Sequence, residues 1–328
     1  MRVFVVVNRV DEIGFRQTTT LLIAAFVREG HEVWLLDVNA MSIESGAGSS
    51  NVSAHAYRVP PSDDCRSEQV ESFVQSEPVK SHQQIQSGDL ILIRTNPGRD
   101  NARTQIHESF LHLCITANSQ GIRVVNSPEH LRYFASKSSL LAVKPQYRPA
   151  MMVTGDHKQA IEFIKDSSYD CVVKPLFGSR GENVIRVSKS SNHLEEKIAA
   201  TFGSMTLVVQ QFVEADCPGD KRVIVVGGEL LQLNGHIAGI ERHPANCDFR
   251  ANLHVGGSAH PLRLSNGALA AAQYAALLLH EQGIWLAGVD LIGDKIIEFN
   301  VFSTGGLYDS IKFSDISFDE IIVQKLIS

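Results

Sequence analysis

Leu286-Ala287-Gly288-Val289-Asp290-Leu291-Ile292-Gly293-Asp294-Lys295-Ile296-Ile297-Glu298-Phe299-Asn300 reads as two apolar strands joined by a tight turn. A three-residue loop at Gly293 to Lys295 is a common hairpin length. With that loop Asp290 faces Glu298 and Gly288 faces Asn300, all on one side. Val289, Leu291, Ile297 and Phe299 then fill the other side. Two carboxylates directly opposite repel and destabilise a sheet. An oxygen-seeking divalent cation removes that repulsion, with Asn300 as a third oxygen ligand and Gly288 leaving room. A solvated face of an amphipathic hairpin is the simpler reading, and on the hairpin alone it stands ahead. A two-residue Gly-Asp turn would set Asp290 and Glu298 on opposite faces.

Working outward, the hairpin follows an Ala/Leu-rich helix at 267–281 and an apolar hairpin at 222–232 that turns at Gly227-Gly228. A strand at 206–213 precedes these, and a polar loop at 241–252 lies between them. Upstream, a smaller unit carries a helix at 157–166 and strands at 170–175 and 183–188. Ser127-Pro128-Glu129 starts a helix that runs to about Val143: a cap residue with Pro in the first turn. The N-terminal stretch alternates strand (2–7), helix (18–28), strand (31–38), strand (89–94), helix (102–120) and strand (122–126). That alternation predicts a parallel sheet with helices on its faces. Residues 42–87 are rich in Ser, Gln and Glu without clear period and read as a long surface excursion.

The chain has 328 residues, 44% hydrophobic and 20% charged, enough for a sizeable core and too long for one small domain. Thirty basic against 36 acidic residues give a net charge of −6, which offers no global attraction for nucleic acid or anionic lipid. No apolar run reaches the roughly 18–20 residues of a membrane span, and no cleavage site follows the first strand, so a cytoplasmic location is expected. The five cysteines show no C-x-x-C and fit a reducing compartment.

Lys174 ends the apolar strand Cys171-Val172-Val173-Lys174. A lysine directed into a core is costly unless an anion meets it. The Gly178-Ser179-Arg180-Gly181 run after it could wrap phosphate with backbone N–H groups. A strand-end lysine reaching solvent is the commoner case, and the two glycines alone are a weak signal. There is no P-loop motif and no G-x-G-x-x-G after the first strand, which counts against a dinucleotide site. Lys137, in Phe134-Ala135-Ser136-Lys137-Ser138-Ser139, is uninformative alone. Arg222, after Asp220-Lys221, could aim at an anion or pair with a surface acid.

The order of these pieces says more than any one of them. A lysine helix, a K-P-x-x-G loop, Gln210-Gln211-Phe212-Val213-Glu214, Gly219-Asp220-Lys221-Arg222, an R-x-x-P…R-x-N loop with Gly256-Gly257, and V-D-L-I-G-D…E-F-N-V follow in turn. This resembles the ATP-grasp superfamily and, within it, the bacterial glutathione synthetases, over nearly the whole chain and most strongly from about Asp170 to Val301. The resemblance implies an α/β, ATP-grasp fold with an N-terminal parallel-sheet domain at 1–126, a central subdomain at 127–203 and a C-terminal subdomain at 204–328. It implies ATP and magnesium, with manganese as a substitute, and a homodimer or homotetramer acting on small molecules.

Carried over residue by residue, Lys137 and Lys174 would hold ATP phosphates, with Gly178, Ser179 and Gly181 in the loop closing over them. Gln210, Gln211, Phe212 and Val213 would be the strand against adenine, with Asp220 near the ribose. Asp290, Glu298 and Asn300 look like the metal ligands, and Arg222 like the arginine beside the reacting acyl group. Arg242, Arg250, Asn252, Gly256, Gly257 and Ser303 would meet the peptide substrate. Gln17-Thr18-Thr19 matches the family's polar segment before the first helix, and Arg94-Thr95-Asn96-Pro97 resembles its R-K-D-P. The implied reaction is transfer of the γ-phosphate to a carboxylate, then attack by an amine on the acyl phosphate, joining glycine to γ-glutamylcysteine. The chain departs from the family at Val301-Phe302-Ser303-Thr304-Gly305, where a Pro-Thr pair is usual. The F-G-S-R-G loop looks more like that of RimK-type glutamate ligases, which add an amino acid to another carboxylate or peptide. A nucleotide-binding regulator without catalysis is the rival from another class.

Overall fold

In the computed structural model, residues 1–46, 49–178, 182–214, 219–244 and 257–328 are described. Among the described residues three main sheets follow one another along the chain, with a separate two-stranded ribbon, Gln232–Leu233 and His236–Ile237. The first has Arg2–Val7 at its centre, flanked in parallel by Glu32–Asp37 and Leu90–Ile93, with Arg123–Val125 beyond. Val3, Val5 and Val7 point to the face covered by the helix Thr18–Arg28, while Phe4 and Val6 pack on the opposite side with the helix Thr104–Ser119. Both faces are buried, which is why these strands read as unbroken apolar runs rather than alternating ones.

The stretch expected to be a surface excursion is structured. Met41–Gly46, Ser49–Arg58 and Ser81–Ile85 form an antiparallel extension of the first sheet, with the helix Ser67–Gln75 between them. Val52, Ala54 and Ala56 alternate inward along it, a period-2 signal obscured by small and polar residues.

The second sheet has four strands, with Leu207–Gln211 between Met151–Thr154 and Cys171–Pro175, and Ile185–Val187 at the edge. The helix expected to reach Val143 stops at Ala135; Ser136 turns extended, its hydroxyl accepts from Ser138 N, and a short 3-10 turn, Lys137–Ala142, follows.

The third sheet carries the site. Its central strand Asp220–Val226 lies antiparallel between Gly239–His243 and Leu286–Ile292, and Lys295–Asn300 pairs outside the latter. The expected loop at 241–252 thus begins as a strand; 245–252 lie outside the described residues. The final hairpin also departs from expectation. Ile292 pairs with Lys295 across a two-residue turn, yet Asp290 still pairs with Glu298 and Gly288 with Asn300. A bulge between Asp290 and Leu291 reconciles the two: Leu291 pairs with Ile296, so Ile297 is the extra residue. Ile296, not Ile297, therefore enters the core. Among the described residues no helix is long and apolar enough to cross a membrane.

Candidate active site

The register of the third sheet places charges directly across from one another. Arg222 pairs with Asp290 on one neighbouring strand, and Asp220 with Arg242 on the other. Arg222 donates from Nε to Asp290 Oδ1 at 2.7 Å and from Nη2 to Oδ2 at 2.6 Å. Arg242 donates to both oxygens of Asp220 at 2.6 Å and, from Nη2, to Asp290 Oδ2 at 2.8 Å. Planar, two-pronged pairing of this kind suits guanidinium and carboxylate. Burial by itself would raise the Asp290 carboxyl, but Arg222 and Arg242 hold it well below the usual carboxylate range. For Asp220 burial dominates and, with the charge of Asp290 nearby, pushes the carboxyl up against the pull of Arg242.

Among the described residues one nitrogen of Arg222, Nη1, makes no hydrogen bond. A Cβ placed on Gly305 would lie 3.7 Å from its Nη1, so this atom looks toward the segment after the hairpin. Gly288 is required by close packing: a Cβ there would run into Thr304 Oγ1 and come within 3.3 Å of Arg222 Cδ.

The two lysines approach the same carboxylates from the central part of the chain. Lys174 is 9% exposed and has no ion-pair partner among the described residues. Burial, then the charge of Lys137, lowers its ammonium to about 8, against the attraction of Glu298 and Asp290. Lys137 is also buried and lowered by burial; its Nζ donates to Gly178 O at 2.9 Å and its backbone N to Leu176 O at 3.2 Å. Lys137 thus ties down the start of the glycine loop. Ser179 and Gly181 lie outside the described residues, as do Arg250, Asn252 and Gly256.

Glu298 has no hydrogen-bonding or ion-pair partner among the described residues, and Asn300 Nδ2 is buried without one. Among those residues no three His, Cys, Asp or Glu side chains are placed to share a cation. The register pairs Asp290 with Glu298 and Gly288 with Asn300, so the hairpin carries oxygen donors of the kind a hard cation such as magnesium takes, with both Asp290 oxygens held by arginines in this structure.

Gln210 is 4% exposed with Oε1 buried and, among the described residues, unpartnered, an acceptor held ready on its strand. Gln211 N donates to Ala150 O at 2.8 Å and Phe212 N to Asp170 O at 2.7 Å, fixing the end of this strand. Arg186, not singled out in the sequence, stacks its guanidinium 3.8 Å from the Phe212 ring centre. Val213 is half-buried, Gly257 leads into the strand Ser258–Pro261, and Ser303 Oγ accepts from Asn96 Nδ2 at 3.3 Å.

A second buried brace was also invisible in the sequence. Asn126 Oδ1 accepts from Trp285 N and Leu286 N, and its Nδ2 donates to Leu286 O and Val301 O. One amide from the first sheet's edge thereby pins both ends of the final hairpin.

This mixed α/β chain, whose residues 139–314 match an ATP-grasp domain, belongs to the ATP-grasp class of carboxylate–amine ligases. A RimK domain ATP-grasp protein from Sphaerobacter thermophilus superposes with a TM-score of 0.59 at 17% identity, over 100% of both chains. The chain belongs to the prokaryotic glutathione synthetase family: residues 1–132 match its N-terminal domain and residues 139–314 its ATP-grasp domain. Glutathione synthetase from Vibrio cholerae is 30% identical over 84% of this chain and 81% of its own length. The enzyme of Prochlorococcus marinus subsp. pastoris is 30% identical over 68% and 71%. The protein is therefore a glutathione synthetase-like, ATP-dependent ligase.

Proposed function

We propose that the chain joins glycine, or a similarly small amine, to a γ-glutamylcysteine-like carboxylate, with ATP and magnesium. The observation that carries this is Lys174: a buried lysine without an ion-pair partner among the described residues, sharing its surroundings with Lys137, Glu298 and Asp290. Such a group calls for an anion, and a polyphosphate supplies one. Asp290, Glu298 and Asn300 would hold the cation, which supplies charge neutralisation for the transferring phosphoryl group. Lys174 and Lys137 neutralise phosphate oxygens from the other side, and Lys137, bonded to Gly178 O, couples the glycine loop to that event. Gln210 faces the base of the nucleotide with its free acceptor, and Phe212 beside Arg186 adds a flat wall.

Asp290 and Arg242 hold Arg222 in position, and its remaining nitrogen, Nη1, stabilises the oxyanion formed when the amine attacks the acyl phosphate. Arg242 is taken up by two carboxylates, so it acts here as a positioning residue rather than as a direct substrate contact. Arg250, Asn252, Gly256 and Gly257 would close over the peptide. Three units, 1–126, 127–203 and 204–328, would work together, with ATP between the last two.

The test is product mass after incubation with γ-glutamylcysteine, glycine, ATP and magnesium, alongside phosphate release on other acids and amines. Glutathione is the expected product. Activity only on a different pair of substrates would remove the substrate assignment and keep the ligase.

A further inference from the structure

Outside the candidate active site, two histidines stand directly opposite each other on the antiparallel extension of the first sheet. His55, on Ser49–Arg58, pairs in register with His82, on Ser81–Ile85. Side chains alternate between the two faces of a strand. Val52, Ala54, Ala56 and Ile85 are therefore turned inward and buried, while His55 and His82 are turned outward and exposed. The backbone beneath the two rings is fixed from both sides, by the ladder to Ser81–Ile85 and by the His55 N–H, which donates to Ala40 O at 3.1 Å.

The ring centres are 5.3 Å apart and the ring planes are inclined at 68°. Beyond that contact, neither ring has a hydrogen bond or an ion pair among the described residues. The nearest cation along the strand is engaged elsewhere: Lys80, two residues before His82, donates from Nζ to Asp37 Oδ2 at 3.0 Å and lies 5.0 Å from the Tyr57 ring centre.

A second pair of histidines shows the contrast. His243 and His260 lie on the paired strands Gly239–His243 and Ser258–Pro261 of the third sheet, with ring centres 4.3 Å apart and planes only 28° from parallel. Their nitrogens are also taken up. His260 Nε2 is 2.9 Å from Ser258 Oγ, and His243 Nε2 is 3.5 Å from Glu241 Oε2.

The separation of the first pair has a chemical meaning. Zinc lies about 2.0–2.1 Å from an imidazole nitrogen, hence about 3.2 Å from the ring centre, and two rings at the tetrahedral angle then stand about 5.2 Å apart. His55 and His82 match that spacing, and His243 and His260 are too close for it. Directly opposed positions, with Cβ atoms about 4.5–5.5 Å apart, let two rings reach one ion without moving the backbone.

We propose that His55 and His82 form an open two-histidine site for a zinc ion, with water completing the tetrahedron. Among the described residues no third His, Cys, Asp or Glu is placed to join them, so the site exchanges with solvent rather than enclosing its ion. Imidazole suits zinc and its late first-row neighbours, whereas magnesium takes oxygen ligands. The histidine pair and the acidic hairpin of the third sheet thus select different cations, and the proposal stands whether or not the substrate assignment above does.

The test titrates zinc chloride into the full chain by calorimetry, without a polyhistidine tag and in excess magnesium chloride, so that the acidic hairpin is already supplied. Wild type should take up one zinc ion at this pair. His55→Gln and His82→Gln should each weaken that binding at least about tenfold, the lower end of the loss seen when even an outer-shell partner of a metal-bound histidine is removed. His243→Gln should leave it unchanged. A thermal melt gives a second readout: zinc should raise the melting temperature of wild type and not of the two variants, because a ligand of the folded form alone stabilises it. Both positions are exposed, and if one variant does not fold the other carries the test. Zinc binding that survives both substitutions undiminished overturns the site. Wild type that takes up no zinc overturns it too, and leaves the two rings as a packing pair only.

Discussion

Arg242 and Arg94 are both buried arginines at strand ends, and their surroundings are opposite. Arg242 has Asp220 and Asp290 within 2.8 Å, and although burial by itself would lower its guanidinium, the two carboxylates raise it above its ordinary value. Arg94 has no acid beside it among the described residues and is lowered by burial to about 10. The difference separates two uses of charge. In the third sheet the charges satisfy one another and fix geometry. In the first sheet, and at Lys174, a charge is kept without a carboxylate partner among the described residues, and at Lys174 the ATP proposed above would supply the missing anion.

The sharpest test applies one substitution to both. Arg242→Met leaves Asp220 buried without its guanidinium, near an Asp290 that keeps Arg222 alone, and breaking a buried pair costs about 3–5 kcal/mol. Its melting temperature should fall well below that of wild type. Arg94→Met removes an unpaired buried charge and should melt at or above wild type. Equal losses in the two variants would erase the distinction.

Next in size is Lys174→Met. Loss of one charge-assisted contact of about 1.5–3 kcal/mol weakens ATP-analogue binding by roughly 10- to 150-fold. Calorimetry measures this, and a thermal melt of the same sample should show stability retained or raised. Unchanged affinity would return Lys174 to a purely structural role.

Much of this contrast is legible in the sequence, for a physical reason. A charged residue closing an apolar strand, as in Cys171-Val172-Val173-Lys174, signals a charge forced toward the interior. Leu90-Ile91-Leu92-Ile93-Arg94 has the same form, yet in the sequence Arg94 entered only through the resemblance to the family's R-K-D-P. Partners are harder to read. Nothing in the order of residues says that Arg242 meets Asp220 and Asp290, because that contact crosses three strands whose register is set by tertiary packing. Asn126 is hidden likewise, since its four hydrogen bonds reach residues about 160 positions away or more. The antiparallel extension at 41–85 escapes because its inward positions include Ala54 and Ala56, too small to raise a hydrophobic signal.

A smaller effect follows from the lysine's titration. Its ammonium is lowered to about 8 in the fold by burial, then Lys137, against about 10.4 for a free lysine. Between those values the unfolded chain binds more protons than the fold, so this group makes stability rise with pH from about 8 to about 10.4. ATP affinity should move the other way, weakening as pH passes about 8 and the ammonium is lost. Calorimetry between pH 7 and 9 checks it, with Lys174→Arg expected to lose the dependence because guanidinium stays charged. A flat wild-type profile would mean that Lys174 does not meet phosphate.

The smallest expected effect concerns the register that brings Asp290 and Glu298 together. A three-residue loop would send Ile297 into the core; the two-residue turn with a bulge sends Ile296 there instead and leaves Ile297 half-exposed. Both arrangements face the carboxylates toward each other, so activity cannot tell them apart, but truncation can. Ile297→Ala should change stability by no more than about 0.5 kcal/mol, the usual scale for a position outside the core. It should also leave phosphate release unaltered, because Glu298 keeps its pairing with Asp290. Ile296→Ala, as the internal control, removes a fully buried side chain and should cost far more. Urea melts of the two variants decide. A large loss at Ile297 with none at Ile296 would put the extra residue in the loop and not in the strand, and the bulge would have to be abandoned while the carboxylate pair survived.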